Sequence, residues 1–131
     1  MNANIGFLKR YLPKSELASL MHSVRGEEGE YFVNLLKSME QTIKAVPPLY
    51  ANEHLGTDAR VRLHYFGGAN DIWITELDHD TGEAFGFTCL GGDMGNAELG
   101  YVSIPEIVAT NRLELDLYWN DEKTLKDVMH S

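Results

Sequence analysis

Residues 73 to 87 read "WITELDHDTGEAFGF" and hold Glu76, Asp78, Asp80 and Glu83 with no Lys or Arg. Carboxylates at this density ligate a metal, face a cationic partner, or line the polar side of a hairpin. The run Asp78-x-Asp80-x-Gly82-Glu83 has the spacing of the front of a calcium loop. The position where a full EF-hand loop needs its bidentate Glu is Cys89, however, and strand-forming residues flank the run on both sides. It therefore reads as a hairpin turn, with no metal expected. A second set is Glu76, Glu98 and Asp116, on three separate strand-like segments. Alternation puts Glu76 on the face of Ile72 and Ile74, and Glu98 on the face of Val102 and Ile104. A carboxylate on an apolar face must find a partner or lose its charge. Two readings stay open. Each acid is held structurally by Arg60, Arg62 or backbone N–H groups, or the three converge as a Mg²⁺ cage or an acid/base pair. The structural reading is favoured, since no further catalytic companions are built into these motifs.

Other segments carry less chemistry. "GGDMGN" is glycine-rich but lacks the Gly-Lys-Ser/Thr ending of a phosphate-binding loop, and its one charged residue is Asp93. The histidines (His22, His54, His64, His79, His130) form no metal-type pair such as His-x-x-x-His. Nothing resembles a nucleophile elbow. The one cysteine, Cys89, rules out an internal disulfide, fits a reducing compartment, and sits in "FGFTCLG" as a buried strand residue.

Charge narrows the partner class. The net charge is −9, and it is unevenly spread. Residues 1–70 hold eight basic and seven acidic side chains, net +1; residues 71–131 hold three basic against thirteen acidic, net −10. Such a field repels phosphate and attracts a cationic groove. The strands hold Tyr65, Phe66, Trp73, Phe85, Phe87 and Tyr101, which suit base stacking, but stacking platforms come with a positive groove and this half is negative. Direct nucleic-acid binding is therefore not expected. No apolar run approaches the roughly 20 residues a membrane span needs. The start, "MNANIGFLKRYLPKSEL", lacks a signal peptide's apolar core, so a cytoplasmic protein is expected.

The elements that must position these residues follow from period. A chain of 131 residues, 44% hydrophobic, suits one domain. Residues 1–48 read as helical. "PKSELASLMHSV" spaces Leu17, Leu20, Met21 and Val24 helically after Pro13. In 27–46, Phe32, Leu35, Leu36, Met39, Ile43 and Val46 form one apolar stripe, with Glu27, Glu28 and Glu30 at its start and Lys44 at its end. Pro47 and Pro48 stop it. Over 59–119 the period becomes alternating: "RVRLHYF", "IWITEL", "AFGFTCL" and "ELGYVSI" read as strands joined by turns. "SIPEIVATN" reads as a short helix capped by Ser103, with Pro105 and Glu106 in its first turn. "LELDLYW" alternates Leu113, Leu115, Leu117 and Trp119 as one half-buried strand. Residues 120–131 read as a capped C-terminal helix. Short links between strands predict an α+β fold, an antiparallel sheet of four or five strands with helices on one face.

Four ordered motifs, "PPLYANEHLG", "WITELDHDTGEAFGFTCLG", "AELGYVSIPEI" and "LELDLYW", together resemble a family of small proteins called domain of unknown function 2958. The resemblance rests on Trp73, Thr75, Glu76, Phe85, Gly86, Glu98, Leu99, Gly100, Tyr101, Glu114, Asp116 and Leu117, and "VRGEEGEYFVNLLKSMEQTI" looks like a helical segment of some relatives. It implies a setting on plasmids, phages and conjugative elements, and it carries over no reaction and no catalytic residue. The expectation that follows is an anti-defence protein, an anti-CRISPR or anti-restriction inhibitor. It would bind a host nucleic-acid-binding complex through a DNA-mimic-like rim of Asp71, Glu76, Asp78, Asp80, Glu83 and Asp93, without a cofactor. The alternatives are a carboxylate-dependent enzyme using Glu76, Glu98 and Asp116, and an accessory interaction module of plasmid transfer.

Overall fold

In a computed structural model describing residues 2–130, three N-terminal helices precede the sheet. Helix α1 (Ile5–Leu8) starts where the Asn4 side chain accepts the Phe7 N–H at 3.0 Å. Helix α2 (Lys14–Val24) follows Pro13 and buries Leu17 and Leu20. Helix α3 (Gly29–Lys44) buries Leu36, Met39 and Ile43, with Glu30 in its first turn and Lys44 in its last, as its dipole favours. It begins two residues later than the stripe predicts.

The strands are β1 (Leu63–Gly67), β2 (Asn70–Leu77), β3 (Glu83–Cys89), β4 (Glu98–Ser103) and β5 (Glu114–Leu115). They form one antiparallel sheet in the order β4-β3-β2-β1-β5. The α+β class and the five-stranded antiparallel sheet match the sequence reading. Helix α4 (Ile104–Thr110) is capped as predicted, Ser103 Oγ accepting the Glu106 N–H at 3.3 Å. One face of the sheet (Leu63, Tyr65, Ile72, Ile74, Leu77, Ala84) packs against α1, α2, α3 and α4 as the main core.

The second face is covered as well, which differs from the expectation of helices on one face only. After α3 the chain crosses the end of β2, where the Leu77 N–H donates to Pro47 O at 2.8 Å. It then forms a 3-10 helix over Glu53–Asp58. Helix α5 (Leu125–Met129) packs beside it, and Leu125 and Val128 join Val61, Trp73, Phe87 and Cys89 in a smaller cluster. Among the described residues no helix is long and apolar enough to cross a membrane.

The strand predicted from Arg60 begins at Leu63, Arg60 making only an isolated bridge to Thr124, and two further predicted elements are shorter than expected for local reasons. In "LELDLYW" the strand residues paired with β1 are Glu114 and Leu115, and the Asp116 N–H adds a last bond to His64 O at 2.8 Å. Asp116 Oδ1 then accepts the Tyr118 N–H at 2.9 Å, a local turn that competes with the ladder. Trp119 leaves the main core and donates its indole N–H to Val61 O at 2.9 Å. The C-terminal helix does not start at residue 120. The Asn120 side chain accepts the Glu122 N–H instead, and the helix waits for Thr124 and Asp127, which cap each other reciprocally.

Glu16 ties α2 to the sheet edge by accepting the Leu115 N–H at 2.7 Å. Burial first, and the nearby charges of Glu114 and Asp116 next, push its carboxyl up to about 7 despite that hydrogen bond. The fold therefore prefers Glu16 protonated. Its contribution is fully present below the unfolded value near 4.5 and is lost as pH rises through about 7. Between pH 5.5 and 8 the protein should lose about 1–2 kcal/mol of stability from this half-buried side chain, allowing for solvent screening. Urea midpoints should show the loss for wild type, and Glu16→Gln should flatten it and be the more stable protein at pH 8. Asp78 and Asp127 are shifted downward and titrate below this window.

Gly86 sets how closely β3 meets β2. A Cβ there would lie 1.9 Å from Trp73 O, whereas one at Gly100, its partner on β4, meets nothing within 4 Å. Gly86→Ala should cost at least about 3 kcal/mol by overpacking a backbone that cannot retreat. Gly100→Ala should change the melting temperature little.

Candidate functional site

The site begins with a bulge. Ile74 pairs with Gly86 and Glu76 with Phe85, so Thr75 and Glu76 together oppose one residue of β3. The bulge reverses the alternation: Leu77 returns to the main core, while Glu76 sits on the second face with Phe85. The expectation that Glu76 shares a face with Ile72 and Ile74 is thus corrected. Glu76 is 5% exposed. Its Oε1 accepts the Tyr50 N–H at 3.0 Å and its Oε2 the Asn52 N–H at 2.6 Å. The Asn52 side chain donates to Thr75 O at 3.2 Å and closes the tie. Backbone N–H groups therefore hold Glu76, one of the partners considered for it. Tyr50 is itself left-handed, with φ 73°, a conformation a non-glycine residue keeps only when its surroundings impose it.

This tie builds a pocket of about 260 Å³ between the 50–57 segment and strands β2, β3 and β4. Its walls are the rings of Tyr50, Phe85 and Tyr101. Tyr101 meets Tyr50 edge-on at 6.4 Å and Phe85 at 5.2 Å between centroids. Tyr50, Leu99 and Tyr101 are exposed at 62%, 43% and 51% and give the pocket an apolar rim. The charged lining residues are Glu53 and Glu76. The adjacent Tyr50 hydroxyl, then burial, then the charges of Glu76 and Glu83 hold the Tyr101 phenol above its usual value.

Tyr101 also lines an open groove of about 780 Å³ beside β4 and α4, whose charged members are Asp78, Glu83 and Glu106. Pocket and groove share Tyr101 as a common wall. Among the described residues no Lys or Arg lines either part. Three of the sequence motifs singled out above meet here, through Tyr50, Asn52, Thr75, Glu76, Phe85, Leu99 and Tyr101.

The six acids expected on one rim are divided. Asp78, Asp80 and Glu83 lie at the β2–β3 turn, where Asp78 Oδ1 accepts the Asp80 and Thr81 N–H groups at 2.9 and 3.3 Å. Those donors pull the Asp78 carboxyl below its usual value. The run 78–83 is thus a turn-forming hairpin loop. Asp80 lines a different hollow with Lys9 and Arg10. Asp71 and Asp93 lie at the far end of β2, where the Gly92 N–H donates to Ala69 O, and Asp93 accepts from the Asn96 side chain at 2.7 Å.

Glu76, Glu98 and Asp116 do not converge. Glu98 is exposed on the edge strand β4, opposite Thr88, so its expected burial is corrected. Asp116 lies beyond β5, at the opposite edge of the sheet. Neither Arg60 nor Arg62 serves these acids: Arg60 pairs with Asp121 at 3.2 Å, and Arg62 Nε is buried without a partner among the described residues. Asp116 belongs to an arrangement the sequence did not reveal. Its Oδ2 lies 3.1 Å from His64 Nδ1, and Asp71 Oδ1 lies 2.8 Å from His64 Nε2. The imidazole stacks on Trp73 at 5.5 Å and 7° and leans on Trp119 at 4.9 Å. Two carboxylates that engage opposite nitrogens of one ring face each other across it and do not share a metal; among the described residues no metal-holding group of three such side chains forms. Cys89 is buried. The second face thus presents carboxylates beside aromatic rings, groups that complement a cation.

Comparisons with protein-family models, curated proteins and solved structures found no match.

Glu76→Ala strands two backbone donors under the pocket. It should destabilise the protein by about 2–4 kcal/mol, the cost of unpaired buried donors plus a lost tie. Chemical denaturation measures this, and an unchanged midpoint would remove the structural role of Glu76.

Proposed function

We propose that this chain is a member of the domain of unknown function 2958 family and acts as an anti-defence protein in a bacterial cytoplasm, binding a host nucleic-acid-binding complex through acidic surface. The observation that carries the reading is the pair of hollows that share Tyr101 on β4. Their charged lining is entirely acidic (Glu53, Glu76, Asp78, Glu83 and Glu106), while exposed aromatic residues stand among the charges. A surface of this kind repels phosphate and complements a Lys/Arg groove. Aromatic anchors inside a charged rim are the composition of a protein interface. The net charge of −9 supports the same direction of approach. The mobile-element setting implied by the resemblance supplies the class of partner, a CRISPR effector or restriction enzyme. The reading is one of stoichiometric binding, and the separation of Glu76, Glu98 and Asp116 favours it over carboxylate catalysis.

The test uses Glu83 and Glu106, both exposed, rather than Asp78, whose carboxylate forms the turn. Capture from lysates of restriction-proficient and CRISPR-bearing hosts identifies the complex. Its association rate with wild type should then fall as salt rises, since screening acts over roughly 8 Å at physiological ionic strength. The double variant Glu83→Lys/Glu106→Lys should associate at least about tenfold more slowly at low salt, with an unchanged melting temperature. DNA should compete with wild type for the complex. A double variant that binds and inhibits like wild type at low salt would refute the reading.

A further inference from the structure

Resting on that reading, we infer that the pocket walled by Tyr50, Phe85 and Tyr101 over Glu76 is a receptor for one arginine side chain of the basic partner. Size, shape and charge each point to this occupant. At about 260 Å³ the cavity is below the range of roughly 300–1,000 Å³ typical of small-molecule sites, and suits one side chain. Its walls carry three aromatic rings, and a planar guanidinium packs on such rings more readily than a compact, strongly hydrated ammonium. Its floor is an acceptor fixed in place. Each Glu76 oxygen takes one backbone N–H, from Tyr50 and Asn52, and each keeps a further acceptor site that an in-plane guanidinium N–H can use. The side chain cannot swing away to meet a surface lysine, because the same two hydrogen bonds shape the loop that forms the wall. Glu53 adds a second negative charge to the lining, and among the described residues no cation competes for either acid there. Tyr101 joins this pocket to the acidic groove, so an arginine seated here would carry its neighbours over Glu83 and Glu106. The groove would then steer the partner, and the pocket would anchor it.

The experiment is a titration of the isotope-labelled chain followed by amide chemical shifts. The probes are N-acetylarginine N-methylamide, its lysine and norleucine counterparts, and a short oligothymidine. The arginine probe should shift the amides of Asn52, Thr75, Glu76 and Tyr101 saturably, with a dissociation constant on the order of 1 mM, as befits so few atoms. It should bind at least about threefold more tightly than lysine and tenfold more tightly than norleucine. Tyr101→Ser, at an exposed strand position, and Tyr50→Asn, which keeps a residue tolerant of the left-handed backbone, should each weaken arginine at least about fivefold without moving the melting temperature. Norleucine binding as well as arginine, oligothymidine shifting the same amides, or Tyr101→Ser binding arginine like wild type would each overturn the proposal. Failure here and failure of the anti-defence reading are separable. Loss of salt-dependent capture in Glu83→Lys/Glu106→Lys without any arginine binding sinks the pocket and keeps the acidic interface. Selective arginine binding with no defence complex captured keeps the pocket and sinks the reading.

Discussion

Strand β2 has no solvent face from Ile72 to Leu77, and the rest of the fold is arranged around that constraint. Ile72, Ile74 and Leu77 belong to the core under the N-terminal helices, and Trp73 belongs to the cluster under α5. A strand buried on both sides needs cover on both sides. The chain provides the first with α1 to α4. It provides the second by crossing under the end of β2 at Pro47 and laying the 50–58 segment along the other face. The single extra residue at Thr75 decides which side receives the carboxylate of Glu76. Without it, strict alternation would drive Glu76 into the larger apolar core, where no donors await it. With it, the acid meets the two N–H groups of a loop that has no regular secondary structure to satisfy them. The bulge, the left-handed Tyr50 and the hydrogen-bonded Glu76 are therefore one device: each is costly alone and stable only with the others.

That device also explains why the second face stays partly open. The crossing segment is short and α5 has only Leu125–Met129, so together they cover β2 and β3 and leave β4 at the margin. Tyr101 and Leu99 stand half-exposed at the margin of that cover, where Tyr50 meets Tyr101 edge-on. Incomplete cover of a sheet face leaves an apolar surface whose burial by another molecule is favourable, and here the adjoining charges select the sign of that molecule.

The sequence made the elements legible wherever a strong period coincided with a local stop signal. The stripe from Phe32 to Val46 ended by Pro47, and Ser103 with Glu106 at the head of α4, are of this kind. It misled where two short-range signals conflicted. In "LELDLYW" the alternation continues through Trp119, yet the Asp116 side chain bonds the Tyr118 N–H and ends the strand. At residue 120 an Asn offers a cap, but the reciprocal pair Thr124 and Asp127 outcompetes it. The bulge at Thr75 left no signal, since neither glycine nor proline marks it, and it inverted the facing of Glu76. The surroundings of His64 were illegible for a different reason. Its two carboxylates lie 7 and 52 positions away, and only the β1 pairings with β2 and with the β5 edge bring them to the same ring.

That ring has one more property. The chain has two tryptophans, and both touch His64, Trp73 by stacking and Trp119 at an inclined contact. Intrinsic indole fluorescence is therefore a local probe of the second face, close to a histidine able to quench it. It is largely blind to the packing of the helices on the opposite side. Circular dichroism, dominated by α2 and α3, sees the complementary half. The protein thus carries its own pair of independent reporters, one per face of a shared central strand. Whether the two halves melt together or in sequence is written in the coincidence of those two signals.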